Sequence, residues 1–331
     1  MYEQHPARLV RTVTGPLAPE RVGGPVLAHE HLALDLAHGG DPTAVLGARH
    51  RQAVTAELAA LREEFGLSLV VELTCRGMGR DVRALARVAQ ESGVAVVAGT
   101  GWYYERFHPP ETAGAGVGEL TGELVREIED GIGGTGVVPG VIGEAGSHDD
   151  APGAAEVRTL TAAAHAARAT GLSVATHAQL GRGGPAQLEL LTGAGLAPHR
   201  VSIGHQDLLD DPGVHRELAA AGAYVAFDTV GKESYRSDES RLKLLLALLD
   251  AGHADRTLLS CDISRHGYLT SEGGTGYGHL FRSFLPRLRA AGADDDLIDL
   301  LTRRNPLRFL TGGRDVPGST DATRTHQDGE L

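Results

Sequence analysis

Sulphur-containing and aromatic residues are scarce in this chain of 331 residues. It has two cysteines, Cys75 and Cys261, two methionines and one tryptophan, and only 4% of its residues are aromatic. Two cysteines cannot build a disulfide framework or a cysteine-only zinc cluster. A zinc site in this chain could therefore not be built from cysteines alone.

Basic residues are outnumbered by acidic ones, and long apolar runs are absent from the sequence. The chain has 31 Lys and Arg against 43 Asp and Glu, a formal net charge of −12. This excess argues against nucleic acid or an anionic membrane surface as a partner. No apolar run reaches the ~20 residues that span a bilayer, and residues 1–6 show no apolar segment of a secretory signal. We expect a soluble, cytoplasmic protein.

Apolar strands instead alternate with helical segments eight times. The predicted strands end at His29, Leu73, Ala98, Glu144, His177, His205, Asp228 and Asp262. The first helix is predicted over Ala44–Phe65, where Val54, Leu58 and Leu61 share a stripe and Gly66 supplies a stop. Eight strand–helix units predict an α/β fold, a (β/α)8 TIM barrel with parallel strands.

The barrel is predicted to cover residues 11–311. Residues 1–10 are expected to form a loose arm, and the polar residues 312–331 a disordered tail. The alternative, an open doubly wound sheet, normally carries a glycine-rich phosphate loop after its first strand. This chain has His29-Glu30-His31 at that position, which favours the barrel.

Metal-ligand residue types stand at the carboxyl ends of five predicted strands. They are His29, His31, Glu144, His177, His205 and Asp262. A single histidine at a strand end is more often structural, but in barrels the reactive side chains come from these ends. Residues at i and i+2 of a strand point to the same side, so the first two imidazoles should converge while Glu30 faces away.

Barrel closure would group these residues around two ions. Asp262 on the last strand would join His29 and His31, His177 would join His205, and Glu144 would bridge. Two divalent ions ~3.5–4 Å apart generate a hydroxide at neutral pH that can attack a carbonyl or phosphoryl centre. Asp262 could also accept the proton of the attacking water. The ligand set fits Zn²⁺, with Mn²⁺ or Co²⁺ as possible substitutes.

Several stretches carry a resemblance to a known family. They are Leu27-Ala28-His29-Glu30-His31-Leu32, Gly99-Thr100-Gly101-Trp102-Tyr103, Ile203-Gly204-His205 and Asn305-Pro306. Together they resemble the phosphotriesterase family of the amidohydrolase superfamily, over about residues 9–311. The resemblance implies an amidohydrolase-like barrel, a binuclear metal centre, hydrolase activity and an assembly that is often a homodimer.

Glu144 stands where many members of this family have a carbamylated lysine. The same replacement is a mark of the branch of phosphotriesterase homology and phosphotriesterase-related proteins, which Phe227–Tyr235 also resembles. This resemblance implies that the site assembles without carbon dioxide. It also favours a carboxylic ester, lactone or N-acyl amide as substrate over a phosphotriester, which remains the alternative.

Four further residues are candidates for contacts with a small-molecule substrate. Tyr103 matches the family tyrosine that faces the bridging water, or it simply lines the barrel mouth. Lys232, Tyr235 and Arg265 would suit a substrate anion, although lysine and arginine in loops are usually solvated. Two other classes of function stay open: a non-hydrolytic metal-bearing binding protein or lyase, and a purely structural barrel.

Overall fold

The computed structural model describes residues 9–313. Residues 1–8 of the predicted arm and residues 314–331 of the predicted tail lie outside this range. Within it, Val10 already belongs to a short strand, Val10–Thr12, which pairs antiparallel with Gly15–Leu17. The ordered chain therefore begins before the boundary predicted for the barrel.

Eight parallel strands form the central sheet and confirm the predicted barrel. They are β1 (Val26–Glu30), β2 (Leu69–Glu72), β3 (Ala95–Thr100), β4 (Val141–Ser147), β5 (Val174–Ala178), β6 (Val201–Ile203), β7 (Tyr224–Phe227) and β8 (Thr257–Leu259). Each pairs in parallel with the next along the chain. All carboxyl ends consequently meet at one end of the barrel.

Helices connect the strands and cover the outside of the sheet. They are α1 (Arg51–Phe65), α2 (Val82–Ser92), α3 (Val117–Asp130), α4 (Ala154–Thr170), α5 (Gly184–Gly193), α6 (Pro212–Ala220), α7 (Asp238–Asp250), α8 (Leu285–Ala290), α9 (Asp295–Asp299) and α10 (Asn305–Thr311). Asp81 and Asp211 cap α2 and α6 by accepting hydrogen bonds from backbone N–H groups of the first turn.

The first helix begins seven residues later than the sequence pattern predicts. Val45–Leu46 pairs antiparallel with Leu34–Asp35 instead of continuing the helix. The helix covers Arg51–Phe65 and is followed by Gly66, whose φ of 71° suits a glycine. The prediction of a helix from Ala44 was wrong because the hairpin satisfies that backbone first.

Glu30 joins the first and last strands of the barrel. Its buried carboxylate accepts hydrogen bonds from the backbone N–H of Cys261 and of Ile263, both at 2.8 Å, and from the hydroxyl of Ser260 at 2.7 Å. β1 and β8 are the two ends of the strand order and share no strand ladder. The side chain of Glu30 thus bridges the junction between β1 and β8, which is called the seam below.

A membrane-crossing helix is absent from residues 9–313, where no helix is both long and apolar enough.

Candidate metal centre

The barrel brings all six predicted ligands together at its carboxyl end. They are His29, His31, Glu144, His177, His205 and Asp262, and each is 6% exposed or less. Their positions follow from the parallel sheet, because five of them lie next to or just after the end of a strand. Glu144 is the exception, since it lies in the middle of β4, which continues to Ser147 beyond the predicted strand end. Imidazoles and carboxylates buried together at this density are costly unless they are paired or coordinate a metal.

Glu144 lies at the centre of the group, with its two oxygens facing two pairs of histidines. Oε1 lies 2.6 Å from Nδ1 of His177 and 3.0 Å from Nε2 of His205. Oε2 lies 3.6 Å from Nε2 of His29 and 3.5 Å from Nε2 of His31. One carboxylate therefore faces two separate potential ligand sets.

Asp262 approaches the first of these pairs from the other side of the seam. Its Oδ1 is 3.3 Å from Nε2 of His31 and 3.9 Å from Nε2 of His29. Its Oδ2 accepts a hydrogen bond from the ammonium of Lys232. The carboxylate is thus held with one oxygen toward the imidazoles and the other toward a cation.

Two of these residues have left-handed backbone conformations. His205 has a φ of 58° and Asp262 a φ of 49°, which costs about 1–2 kcal/mol for a residue with a Cβ atom. Hydrogen bonds hold both backbones: the N–H of His205 donates to Asp228 at 2.9 Å, and that of Asp262 to the carbonyl of His29 at 3.2 Å. Such strain is typical of functional sites.

The donor set fits two divalent cations. Ligand atoms of His29, His31 and Glu144 lie within 4.8 Å of one another, as do those of Glu144, His177 and His205. Nε2 of His29 is fully buried and has no hydrogen-bond partner, which is expensive for a polar atom. A cation in front of this nitrogen would satisfy it.

The carboxylates also set the protonation of the imidazoles. Burial alone would lower the pKa of His31, but its hydrogen bonds to Asp262 and Glu144 raise that pKa to about 9. Burial opposes the charge of His205 as well, yet Asp228 and Glu144 raise its pKa to about 10. Because a cation must displace these protons, metal affinity should increase with pH.

Asp228 contacts two of the imidazoles, a role that sequence reasoning missed. It follows β7, and its Oδ2 accepts a hydrogen bond from Nδ1 of His29 at 2.7 Å while its Oδ1 accepts from Nδ1 of His205 at 2.9 Å. Its place at a strand carboxyl end is the same signal that identified the other six.

The other two imidazoles have partners of their own. Nδ1 of His31 lies 2.8 Å from the hydroxyl of Thr74, which in turn donates to the buried carboxylate of Glu72. Nε2 of His177 lies 2.7 Å from the side-chain oxygen of Gln179. Each contact fixes the ring and leaves the other nitrogen turned toward Glu144.

A cavity of about 210 Å³ opens above the group. Its aromatic wall includes Tyr103, whose hydroxyl lies 3.2 Å from Nδ1 of His177. Burial, together with the charge of Glu144, raises the pKa of Tyr103 well above its ordinary value, so the phenol stays protonated and can donate. The apolar and aromatic residues that also line the cavity are Leu36, Met78, Tyr104, Phe107, Leu180 and Leu208.

Two basic side chains, Lys232 and Arg265, also line the cavity, and each is paired with a carboxylate. Lys232 is only 8% exposed, so the interpretation as a solvated loop lysine was wrong for this residue. Arg265 pairs with Asp41 and donates to the hydroxyl of Tyr235 at 3.1 Å. Tyr235 is 46% exposed, which places this second cationic group at the mouth rather than at the centre.

The long loop after β8 is tied to the barrel. Glu57 on α1 accepts hydrogen bonds from the backbone N–H and the hydroxyl of Thr270, both at 2.7 Å, and from the N–H of Tyr277 at 3.2 Å. One side chain thus anchors both halves of this segment.

Comparisons with known proteins identify the family and the fold. The model of the phosphotriesterase family matches residues 8–310. The phosphotriesterase homology protein of Escherichia coli (strain K12) is 39% identical over 87% of this chain and 98% of its own length. Its crystal structure, complexed with phosphate in the active site, superposes with a TM-score of 0.84 at 38% identity, over 87% of this chain and 99% of that one.

Two other relatives indicate the range of activities. The N-acetyltaurine hydrolase of Salmo salar is 30% identical over 91% of this chain and 97% of its own length. The structure of a mutant PTE-like lactonase of Deinococcus radiodurans has a TM-score of 0.81 at 33% identity, over 91% of this chain and 99% of that one.

Proposed function

The chain belongs to the phosphotriesterase family and is a hydrolase, and we propose that it cleaves a small carboxylic ester, lactone or N-acyl amide with the aid of two divalent metal ions. The observation that carries this proposal is the position of Glu144. Its two oxygens face two pairs of histidines, and Asp262 approaches the first pair.

In this proposal the six residues hold two ions with Glu144 between them. His29, His31 and Asp262 would hold one, and His177 and His205 the other. When bound, such ions polarise the scissile carbonyl and make a water nucleophilic at neutral pH. Nitrogen and oxygen ligands without thiolates suit Zn²⁺, with Mn²⁺ or Co²⁺ as substitutes.

The surrounding side chains supply proton transfer and orientation. Asp262 takes the proton of the attacking water, and Lys232 keeps its second oxygen in place through their hydrogen bond. Tyr103 keeps its proton and lies close to His177, so its hydroxyl can donate to the oxygen of the leaving group or of the attacking water.

The cavity favours a small substrate that carries an anionic group. Its volume of about 210 Å³ is below the ~300–1,000 Å³ of pockets for drug-sized ligands. Lys232 and Arg265 line it together with apolar and aromatic residues. N-acetyltaurine, the substrate named for one group of relatives, is a small N-acyl amide with an anionic sulfonate, which agrees with a lining that contains both basic and apolar side chains.

A substrate panel on the zinc-loaded protein tests the proposal. It contains lactones, aryl esters and N-acyl amides, each as a matched pair with and without an anionic group, together with a paraoxon-like phosphotriester. We expect kcat/KM to be highest for an anionic carboxylic member, and Arg265→Met to raise KM for that member but not for its neutral analogue. Faster cleavage of the phosphotriester would overturn the substrate class, and cleavage of no member would favour the binding protein or lyase.

A further inference from the structure

Asp228 lies between two histidines that belong to different halves of the candidate centre. Its Oδ2 is 2.7 Å from Nδ1 of His29, and its Oδ1 is 2.9 Å from Nδ1 of His205. The carboxylate is 1% exposed, and the two rings are stacked with their centroids 5.3 Å apart. One buried side chain therefore contacts an imidazole of each half.

We propose that Asp228 is a positioning residue for both metal ions at once, so that its loss weakens the binding of both. The inference rests on the proposed function, in which His29 and His205 ligate different ions. It goes beyond that function because the binding of both ions would depend on one residue, Asp228, although the two ions are held by different histidines.

The tautomers of both rings follow from this contact. A carboxylate can only accept, so Nδ1 of His29 and Nδ1 of His205 must both carry a proton and donate. Each neutral ring then presents a lone pair at Nε2, the nitrogen that faces Glu144 in both cases. The buried Nε2 of His29 has no partner of its own and is left free to ligate.

The carboxylate itself is held firmly. Its Oδ1 also accepts the backbone N–H of His205 at 2.9 Å, and the N–H of Asp228 donates to Asp207 at 3.3 Å. Asp207 is fully buried and is bound by Nε of Arg241 at 2.6 Å. Rotation of Asp228 would disturb both imidazoles together, since each oxygen serves one of them.

The remaining imidazoles provide a contrast. Of the four imidazoles, Thr74 hydrogen-bonds to that of His31 alone, and Gln179 to that of His177 alone. Each of these partners serves one half of the centre. Within residues 9–313, Asp228 is the side chain outside the ligand set that hydrogen-bonds to histidines of both halves.

A different interpretation is that Asp228 is itself a ligand. Ligand atoms of His29, His205 and Asp228 lie within 4.8 Å of one another. However, 2.7 and 2.9 Å are ordinary hydrogen-bond lengths, and Oδ1 already accepts a backbone N–H. A third ion in the wild-type protein would support this interpretation and overturn ours.

Metal retention in matched variants tests the proposal. The full-length wild type, Asp228→Asn, Thr74→Val and Gln179→Leu are loaded with zinc, and zinc content and stepwise affinity are measured with a chromogenic chelator. We expect two ions in the wild type and about 10–100-fold weaker binding of both in Asp228→Asn. Thr74→Val and Gln179→Leu should each weaken one ion only.

The outcomes separate this proposal from the proposed function. A wild type that binds no zinc contradicts the metal centre itself. A wild type with two ions whose Asp228→Asn variant weakens only one, or neither, overturns the role of Asp228 alone. Circular dichroism shows whether each variant is folded.

A measurement on the wild type covers the case in which Asp228→Asn does not fold. Nitrogen-15 spectra of the zinc-loaded protein report which ring nitrogen of each histidine carries the proton. We expect Nδ1–H for both His29 and His205. An Nε2–H tautomer at either residue would overturn the proposal.

Discussion

At the scale of single residues, the position of Glu144 between two histidine pairs is the most informative. Glu144 carries one negative charge, as a carbamylated lysine would, but it needs no carbon dioxide for its formation. Its two oxygens face different histidine pairs. The chemistry of this centre therefore depends on a side chain that is complete as soon as the chain folds.

Replacing Glu144 with alanine should reduce the zinc content by about one ion per chain. The variant removes the shared acceptor and leaves each histidine pair with fewer ligands. Zinc analysis after gel filtration measures the loss, and two retained ions would contradict the bridging role. Added bicarbonate should not change the wild-type activity, because Glu144 needs no carbon dioxide to become an anion. An increase in activity would indicate that a lysine is carbamylated.

Asp262→Asn should lower kcat by about 10²–10⁴-fold while most of the zinc is retained. The amide can still offer an oxygen to a cation, but it is a poor acceptor for the proton of water. Steady-state kinetics and zinc analysis on the same sample separate the two effects. Asp41→Asn is the control, since Asp41 pairs with Arg265 at the mouth; an equal loss of kcat there would argue against a specific role of Asp262.

At the scale of helices and loops, ion pairs attach the outer layer to the barrel. Glu127 on α3 is 7% exposed and accepts hydrogen bonds from Arg80, Arg76 and Thr100. These partners come from the loop after β2 and from the end of β3. The contact fixes α3 against the carboxyl end of the barrel, close to the loop that carries Tyr103.

Glu127→Gln should lower the free energy of unfolding at neutral pH by about 3 kcal/mol, because it leaves two arginines without their shared anion. Although burial opposes the charge of Glu127, Arg80 lowers its pKa in the folded state. Its contribution is therefore present above the unfolded pKa of about 4.3 and is lost as the pH falls through the folded pKa. Urea titrations of the wild type and of Glu127→Gln from pH 7 to pH 3 test this. The free energies of unfolding of the two proteins should converge as the pH falls.

Glu123→Gln is the matched control on the same helix. Glu123 pairs with Arg76, but its side chain is 29% exposed, and exposed ion pairs contribute about 0–1 kcal/mol. An equal loss of stability in the two variants would contradict the role of the buried Glu127 carboxylate. So would a stability difference between the wild type and Glu127→Gln that does not change with pH.

The loop after β8 provides a second prediction at this scale. Glu57→Ala should increase hydrogen exchange at the backbone N–H of Thr270 and Tyr277, because both lose their acceptor. Exchange measured by mass spectrometry over residues 268–278 tests this. Glu64→Ala, which removes an exposed pair with Arg282, should leave these amides unchanged; equal exchange in the two variants would show that Glu57 does not anchor the loop.

At the scale of the whole molecule, metal binding and stability should be linked. Ions that bind only the folded barrel stabilise it by about 2.7 kcal/mol at a hundred times their Kd. We expect EDTA to lower Tm by about 5 °C and zinc to restore it, as followed by circular dichroism. Glu144→Ala should show a smaller shift, and an unchanged Tm after complete metal removal would contradict the linkage.

The barrel and the positions of its reactive residues could be predicted because they depend on alternation along the chain. Parallel strands bring their carboxyl ends together whatever the intervening helices contain, so His29 and Asp262 could be placed side by side. The start of α1 could not, because the pairing of Val45–Leu46 with Leu34–Asp35 depends on contacts between loops.

Asp228 and Lys232 illustrate what a pattern along the chain leaves out. The place of Asp228 at a strand end could be predicted, but its contact with His29, 199 positions away in sequence, depends on the closed barrel and is encoded by no spacing rule. The burial of Lys232 was missed for the same reason, since its loop position gave no sign of its partner Asp262.

The seam at Glu30 has a consequence for synthesis on the ribosome. His29, His31 and Glu30 emerge early, whereas Cys261 and Ile263, which Glu30 must bind, emerge about 230 residues later. Until then, the nascent first strand has one unpaired edge, a feature that invites wrong pairing. In the proposed centre, capture of an ion beside Asp262 and closure of the barrel both need residues from the end of the chain, so a chain released before residue 263 could complete neither.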